Sequence, residues 1–144
     1  MSPIFFTDRD LGKQFPAILR TAGILVERHG DHFAPDAPDD AWLPEVGRRG
    51  WIVLTHDQRI RYKSNERDAV MSNGIAMFVL IGTVSFPELA HAFLASRRRV
   101  EAFLERNSPP FIAKIYRGPL NPSVGSHRAG EVELWLSERD WRRR

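Results

Sequence analysis

Three acidic clusters carry most of the chemistry legible in this chain. Thr7-Asp8-Arg9-Asp10 follows the apolar run Ile4-Phe5-Phe6, Asp39-Asp40 opens an amphipathic stretch, and Thr55-His56-Asp57 follows Trp51-Ile52-Val53-Leu54. Each acid has a structural reading of its own. Asp8, Asp10, Asp39 or Asp40 can cap a helix, and Asp57 can close an Asx-turn. Taken together they imply more. Carboxylates gathered at one place repel one another and raise one another's pKa values, and a hard divalent cation relieves that repulsion. Oxygen ligands without thiolate or imidazole suit magnesium or manganese better than zinc. Arg59, Arg61 and Lys63 follow Asp57 within six residues. They could hold a phosphodiester backbone, or equally form ion pairs with the carboxylates or a solvated turn.

For the clusters to meet, the elements before them must be parallel strands of one sheet. Ile4-Phe5-Phe6, Ile24-Leu25-Val26, Trp51 to Leu54 and Ala76 to Ile81 read as buried strands. Between them, Leu11, Phe15, Ile18, Leu19 and Ala22 recur at the helix period, with Gly23 as a stop. Gly30 to Pro38 reads as a polar loop. A short helix is expected from Asp39 to Val46, with its start obscured by Pro44, and another from an Asn65/Asp68 cap to Asn73. Ser85-Phe86-Pro87-Glu88 is a capping box ahead of one long helix carrying Leu89, Phe93, Val100, Phe103 and Leu104 on one face. Strands alternating with helices predict a mainly parallel central sheet in a three-layer α/β/α domain. Ligands of such sheets bind beyond the carboxyl ends of the strands, where the three acidic clusters fall. Phe111 to Tyr116 and Glu131 to Leu136, separated by turn residues, predict a C-terminal β-hairpin extension. The expected division is residues 1–106 for the α/β domain and 107–144 for the extension with its basic tail, in one structural unit.

The 144 residues suit a single domain of roughly 100–200 residues and bury enough surface to need no covalent staple. No cysteine is present, which excludes disulfides, thiolate metal sites and a cysteine nucleophile. The net charge of +3 is uneven: residues 1–96 carry 10 basic and 12 acidic side chains, residues 97–144 carry 11 and 6. A polyanion partner would use that last third, although a charge run is more often a solvated face. The longest apolar run, Ile75 to Gly82, is far short of the ~20 residues of a spanning helix, and no signal-peptide pattern opens the chain. A cytoplasmic protein with no membrane partner is expected. His29 and His32, three apart in an apparent loop, make a poor zinc site without further ligands. No Gly-rich phosphate loop and no nucleophile elbow occurs.

The strings FFTDRDLG, DHFAPDAPDDAWLPEVGRRGWIVLTHDQRIR and SNER resemble the PIN-like domain of VapC-type toxins, over about residues 4–82 and more loosely to Arg106. The resemblance implies an α/β/α nuclease whose carboxylates bind Mg2+ or Mn2+ and hydrolyse RNA phosphodiesters. By position it makes Asp8 the first ligand, Asp39 the second with Asp40 as the close alternative, and Asp57 the third. Glu66 is a further candidate, with a favourable charge in a helix first turn as its structural reading. Arg59, Arg61, Lys63 and His56 would contact substrate. His56 stands where relatives often carry a basic residue. The family's later aspartate has no counterpart near Gly82, Thr83 and Ser85. The expected function is a metal-dependent endoribonuclease, the toxin of a type II toxin–antitoxin pair, with RNA as substrate, a cognate antitoxin as partner and a possible homodimer. The alternative is a catalytically weak or inactive PIN-like module that binds RNA or protein through Arg97-Arg98-Arg99 and the basic C-terminus.

Overall fold

The fold is that of a computed structural model, which describes residues 2–118, 120–121 and 126–143; for Arg61, 120–121 and 126–127 the main chain alone is described. Strands β1 (Ile4–Thr7), β2 (Leu25–Arg28), β3 (Ile52–Thr55), β4 (Ala76–Ile81), β5 (Phe111–Tyr116) and β8 (Val132–Ser137) form one sheet in the order β2-β1-β3-β4-β5-β8. The first five are parallel, and β8 closes the edge antiparallel to β5. A separate ribbon pairs β6 (Leu120–Asn121) with β7 (Ser126–His127). Helices α1 (Gln14–Thr21), α2 (His29–His32), α3 (Asp39–Arg49), α4 (Ser64–Ser72), α5 (Phe86–Ala95), α6 (Arg97–Arg106) and α7 (Glu138–Arg142) complete the chain. The expected α/β/α architecture with a mainly parallel sheet is present. Among the described residues no helix is long and apolar enough to cross a membrane.

Both faces of the sheet are buried because successive strand residues alternate between two apolar clusters. Phe5, Leu54, Phe78 and Phe111 face Phe15, Phe93 and Phe103 of α1, α5 and α6. Phe6, Val53, Met77 and Ile112 face Trp42, Val46 and Val70 of α3 and α4. Runs with no polar position are the signature of a parallel strand covered on both sides.

Several boundaries differ from the sequence reading. The stretch expected to be a loop contains α2, because His29 packs between Phe6, Phe33 and Trp42 and holds a helical turn there. Helix α3 runs through Pro44 to Arg49. Helix α4 begins at Ser64, with no side-chain cap, and Asp68 instead accepts the Trp141 indole N–H of α7 at 2.9 Å. The single long helix after Ser85 is two, broken at Ser96. The Ser96 hydroxyl donates back to the Ala92 carbonyl (3.1 Å) and accepts the buried Gly130 N–H (2.9 Å), and such back-bonding bends helices. The C-terminal strands β5 and β8 pair antiparallel, as expected, but the pair is built into the central sheet, with β5 parallel to β4.

Candidate active site

The order β2-β1-β3 means that the chain leaves β1 toward one side of the sheet and returns for β3 on the other. The crevice at the carboxyl ends of β1 and β3 is therefore the switch point where open α/β sheets bind ligands. A cavity of about 510 Å³ opens there, lined by Asp8, Asp10, Asp39, Asp57 and Glu66, with Arg9, Lys63 and Trp42 among its other walls. Parallel register carries Asp8 alongside β3, its N–H donating to the Leu54 carbonyl at 3.0 Å. Thr55, buried at the end of β3, donates to Asp8 Oδ2 (3.3 Å) and Asp10 Oδ2 (3.1 Å), so one hydroxyl ties the two carboxylates together.

The carboxylates differ in what else they do. Asp8 caps the 3-10 turn Arg9–Leu11 by accepting the Arg9 N–H at 2.8 Å. Asp57 caps the 3-10 turn Gln58–Tyr62 through the Arg59 N–H at 3.0 Å. The structural readings of both thus hold beside their place in the cavity. Asp39 is different: it is the first residue of α3 and makes no cap bond, since Pro38 is the N-cap. Its Oδ1 accepts the Trp42 indole N–H at 3.0 Å and lies 3.5 Å from the Arg9 guanidinium. Arg9 also donates to the carbonyls of Pro35 and Ala37, which fastens the loop before α3 to the end of β1. Glu66, in the first turn of α4, reaches the same cavity. Asp40 is exposed and is not among the residues that line the cavity.

The predicted cations divide in the same way. Lys63 forms ion pairs with Asp57 (3.1 Å) and Glu66 (3.5 Å). Arg59, largely exposed, pairs with Asp57 at 3.3 Å. The Arg61 side chain lies outside the described residues. His56 lines the cavity, and its Nε2 lies 2.7 Å from the Gly82 carbonyl, an acceptor that requires the proton on Nε2. The sequence placed Asp10 in the first acidic cluster, with a helix cap as its structural reading, but did not single it out as a ligand. In the structure it accepts the His56 N–H at 3.0 Å, and its Oδ1 is buried without a partner. Arg9, Thr55 and Trp42 were also missed as site residues. Thr55 beside Asp57 and Trp42 three residues after Asp39 were the available signals.

The electrostatics reflect crowding. Burial, then the neighbouring Asp10, pushes the Asp8 carboxyl up to about 6. Burial also raises Asp10. Burial and the adjacent Asp39 carboxyl push Glu66 up to about 7. Burial would raise Asp57 too, but the hydrogen bonds from Lys63 and the Arg59 N–H outweigh it and leave that carboxyl below its ordinary value. As donors these residues suit a hard cation: the set is all oxygen, and Asp10 keeps one buried oxygen unsatisfied. Among the described residues, however, no three acidic or histidine side chains gather tightly enough to enclose an ion. The countercharge within the cavity comes from Arg9, Lys63 and Arg59.

Comparison with curated proteins and with solved structures gives no significant match. A model of the PIN-like domain matches residues 3–82, the segment that contains β1 to β4 and every carboxylate of the cavity. More than half of the chain is covered, and the chain belongs to the PIN-like domain family.

Proposed function

We propose that this PIN-like domain, a nuclease-type fold, is a metal-dependent endoribonuclease of the VapC type, acting in the cytoplasm as a toxin restrained by a cognate antitoxin. One observation carries the reading: Asp8, Asp10, Asp39, Asp57 and Glu66, contributed by separate elements, line one cavity at the β1/β3 switch point. Asp8, Asp39 and Asp57 would hold Mg2+ or Mn2+, with Asp10 and Glu66 beside them; Asp40 does not line the cavity. Bound there, a divalent ion supplies a water of lowered pKa and neutralises charge on the scissile phosphate. The protein's own part is positional. Thr55 fixes Asp8 and Asp10, Trp42 and Arg9 fix Asp39, and Lys63 holds Asp57, for which a bound ion would compete. Lys63 and Arg59 would then be available to hold the flanking phosphates. Cleavage would leave a 5′-phosphate and a 3′-hydroxyl.

A second reading has an observation in its favour. Arg9 and Lys63 already neutralise the acids, and no carboxylate stands at Gly82 to complete the family's set. Under it the chain is an inactive PIN-like module that binds RNA or protein. Asp57→Asn separates the two. The asparagine oxygen can still accept the Arg59 N–H, so the fold should persist by circular dichroism. Loss of an ion ligand should lower magnesium- or manganese-dependent RNA cleavage at least ~100-fold. Cleavage that survives undiminished in the variant removes the acidic metal site, and its absence from the wild type at any ion concentration removes the enzymatic reading.

A further inference from the structure

A second cleft of about 230 Å³ adjoins the acidic cavity and shares Gln58 and Ile60 with it. Its apolar lining comes from Ile60 in the 3-10 turn after β3, from Val79 and Ile81 in the carboxyl-terminal half of β4, and from Ile112 near the start of β5. Tyr116 of β5 and Trp135 of β8 contribute rings. The sequence does not announce this use of Trp135. In a regular strand Trp135 and Leu136 would face opposite sides of the sheet, yet both pack against the same apolar cluster. The β5–β8 register slips between Ile112 and Ala113, which pair with Leu136 and Leu134 and leave Trp135 as the extra residue. A bulge of this kind re-aims a side chain, and here it turns an indole toward the cleft.

Two polar groups complete the lining, the Gln58 amide and the Lys114 ammonium. Neither is engaged in a side-chain hydrogen bond or ion pair among the described residues. An amide that both donates and accepts, a cation, and flanking aromatic rings in an otherwise aliphatic cleft match the chemistry of a nucleobase: a flat π face with a hydrogen-bonding edge. Continuity with the acidic cavity through Gln58 matches the short reach between a base and its own phosphate.

We propose that this cleft is a nucleobase subsite, which holds a base of a single-stranded RNA next to the phosphate delivered to the acidic cavity and so sets sequence preference. The proposal rests on the nuclease reading for its substrate, but its test does not require cleavage. The indole N–H resonance of Trp135 is identified in the full chain by its loss in Trp135→Phe. Each of the four 5′-ribonucleoside monophosphates is then titrated in EDTA, with no divalent ion present.

At least one should move the Trp135 resonance while those of the buried Trp42 and of Trp141 stay in place. Gln58→Ala and Lys114→Ala, both at partly exposed positions, should each weaken that nucleotide at least tenfold. In RNA cleavage, Gln58→Ala should relax the base preference next to the cut. Absence of any shift with all four nucleotides overturns the subsite, as does a shift indifferent to both alanine variants. A shift produced by apolar peptides and not by nucleotides makes the cleft a protein-docking groove and also overturns it. A Trp135 response in a protein that never cleaves RNA sinks the nuclease reading alone. Cleavage with a silent Trp135 sinks the subsite alone.

Discussion

At the cavity's rim the same residue type takes opposite electrostatic roles. Asp8 and Glu66 hold their protons up to about 6 and about 7, while Asp57, beside Lys63, releases its proton below the ordinary carboxylate range. The consequences for stability differ in sign. A carboxyl whose pKa is raised by folding contributes stability that is complete below its unfolded value and is lost as pH rises through the folded one. For Asp8 that window runs from 3.8 to about 6, and for Glu66 from 4.5 to about 7. Asp57 contributes stability above its ordinary value and loses it as pH falls through the depressed one. Glu66→Gln should therefore raise stability at pH 8, by on the order of 1–2 kcal/mol, and change little at pH 4. Urea unfolding of variant and wild type at both pH values measures it. A gain that is equal at pH 4 and pH 8 would show that the Glu66 proton is not shared with its carboxylate neighbours. The same crowding would favour the proposed cation most at pH 8, where both raised acids are ionised.

Elements position these side chains through contacts that the sequence reveals unevenly. Strand β4 and the Ser85 cap follow from local pattern alone: six consecutive buried-type residues, and a hydroxyl that accepts the Glu88 N–H. The placement of Asp8, Asp39 and Asp57 was legible because the end of a parallel strand and the start of the next helix share one rim. The pairing of Lys63 with Asp57, six residues apart, was one of the readings the sequence offered, whereas that of Arg9 with Asp39 was not, because an ion pair across 30 residues leaves no periodic trace. The split of α5 from α6 was hidden for the same reason. It depends on Gly130, 34 residues beyond Ser96, where a Cβ would overlap the Tyr116 carbonyl and keep the chain from approaching. Ser96→Ala tests this contact. Alanine is the better helix former, so local propensity alone predicts stabilisation. Leaving the buried Gly130 N–H without an acceptor predicts the reverse, a loss of about 1–3 kcal/mol. Denaturant unfolding decides the sign, and faster amide exchange in β8 should accompany the loss.

For the whole molecule, the question is whether residues 107–144 belong to the folding unit, since the family match stops at residue 82. The sheet answers through its topology. Strand β5 buries Phe111 and Ile115 on one face and Ile112 on the other, and Leu136 of β8 joins the second cluster. Fully burying a side chain of this kind contributes about 1.5–3 kcal/mol, so these four together rival the 5–15 kcal/mol of a typical domain's net stability. They also cover Phe78 and Phe103, whose rings stack edge-on against Phe111. A chain ending at Arg106 would expose β4 as an unpaired apolar edge, a template for aggregation. It should therefore lose cooperative thermal unfolding, whereas a chain ending at Ser137, which lacks α7 and its Asp68–Trp141 contact, should keep it with a lower midpoint. Calorimetry of the two truncations distinguishes an integral strand pair from an appendage. A cooperative transition in the 1–106 chain would mean that the domain closes at β4, and that the cleft beside Trp135 is built onto an already complete nuclease fold.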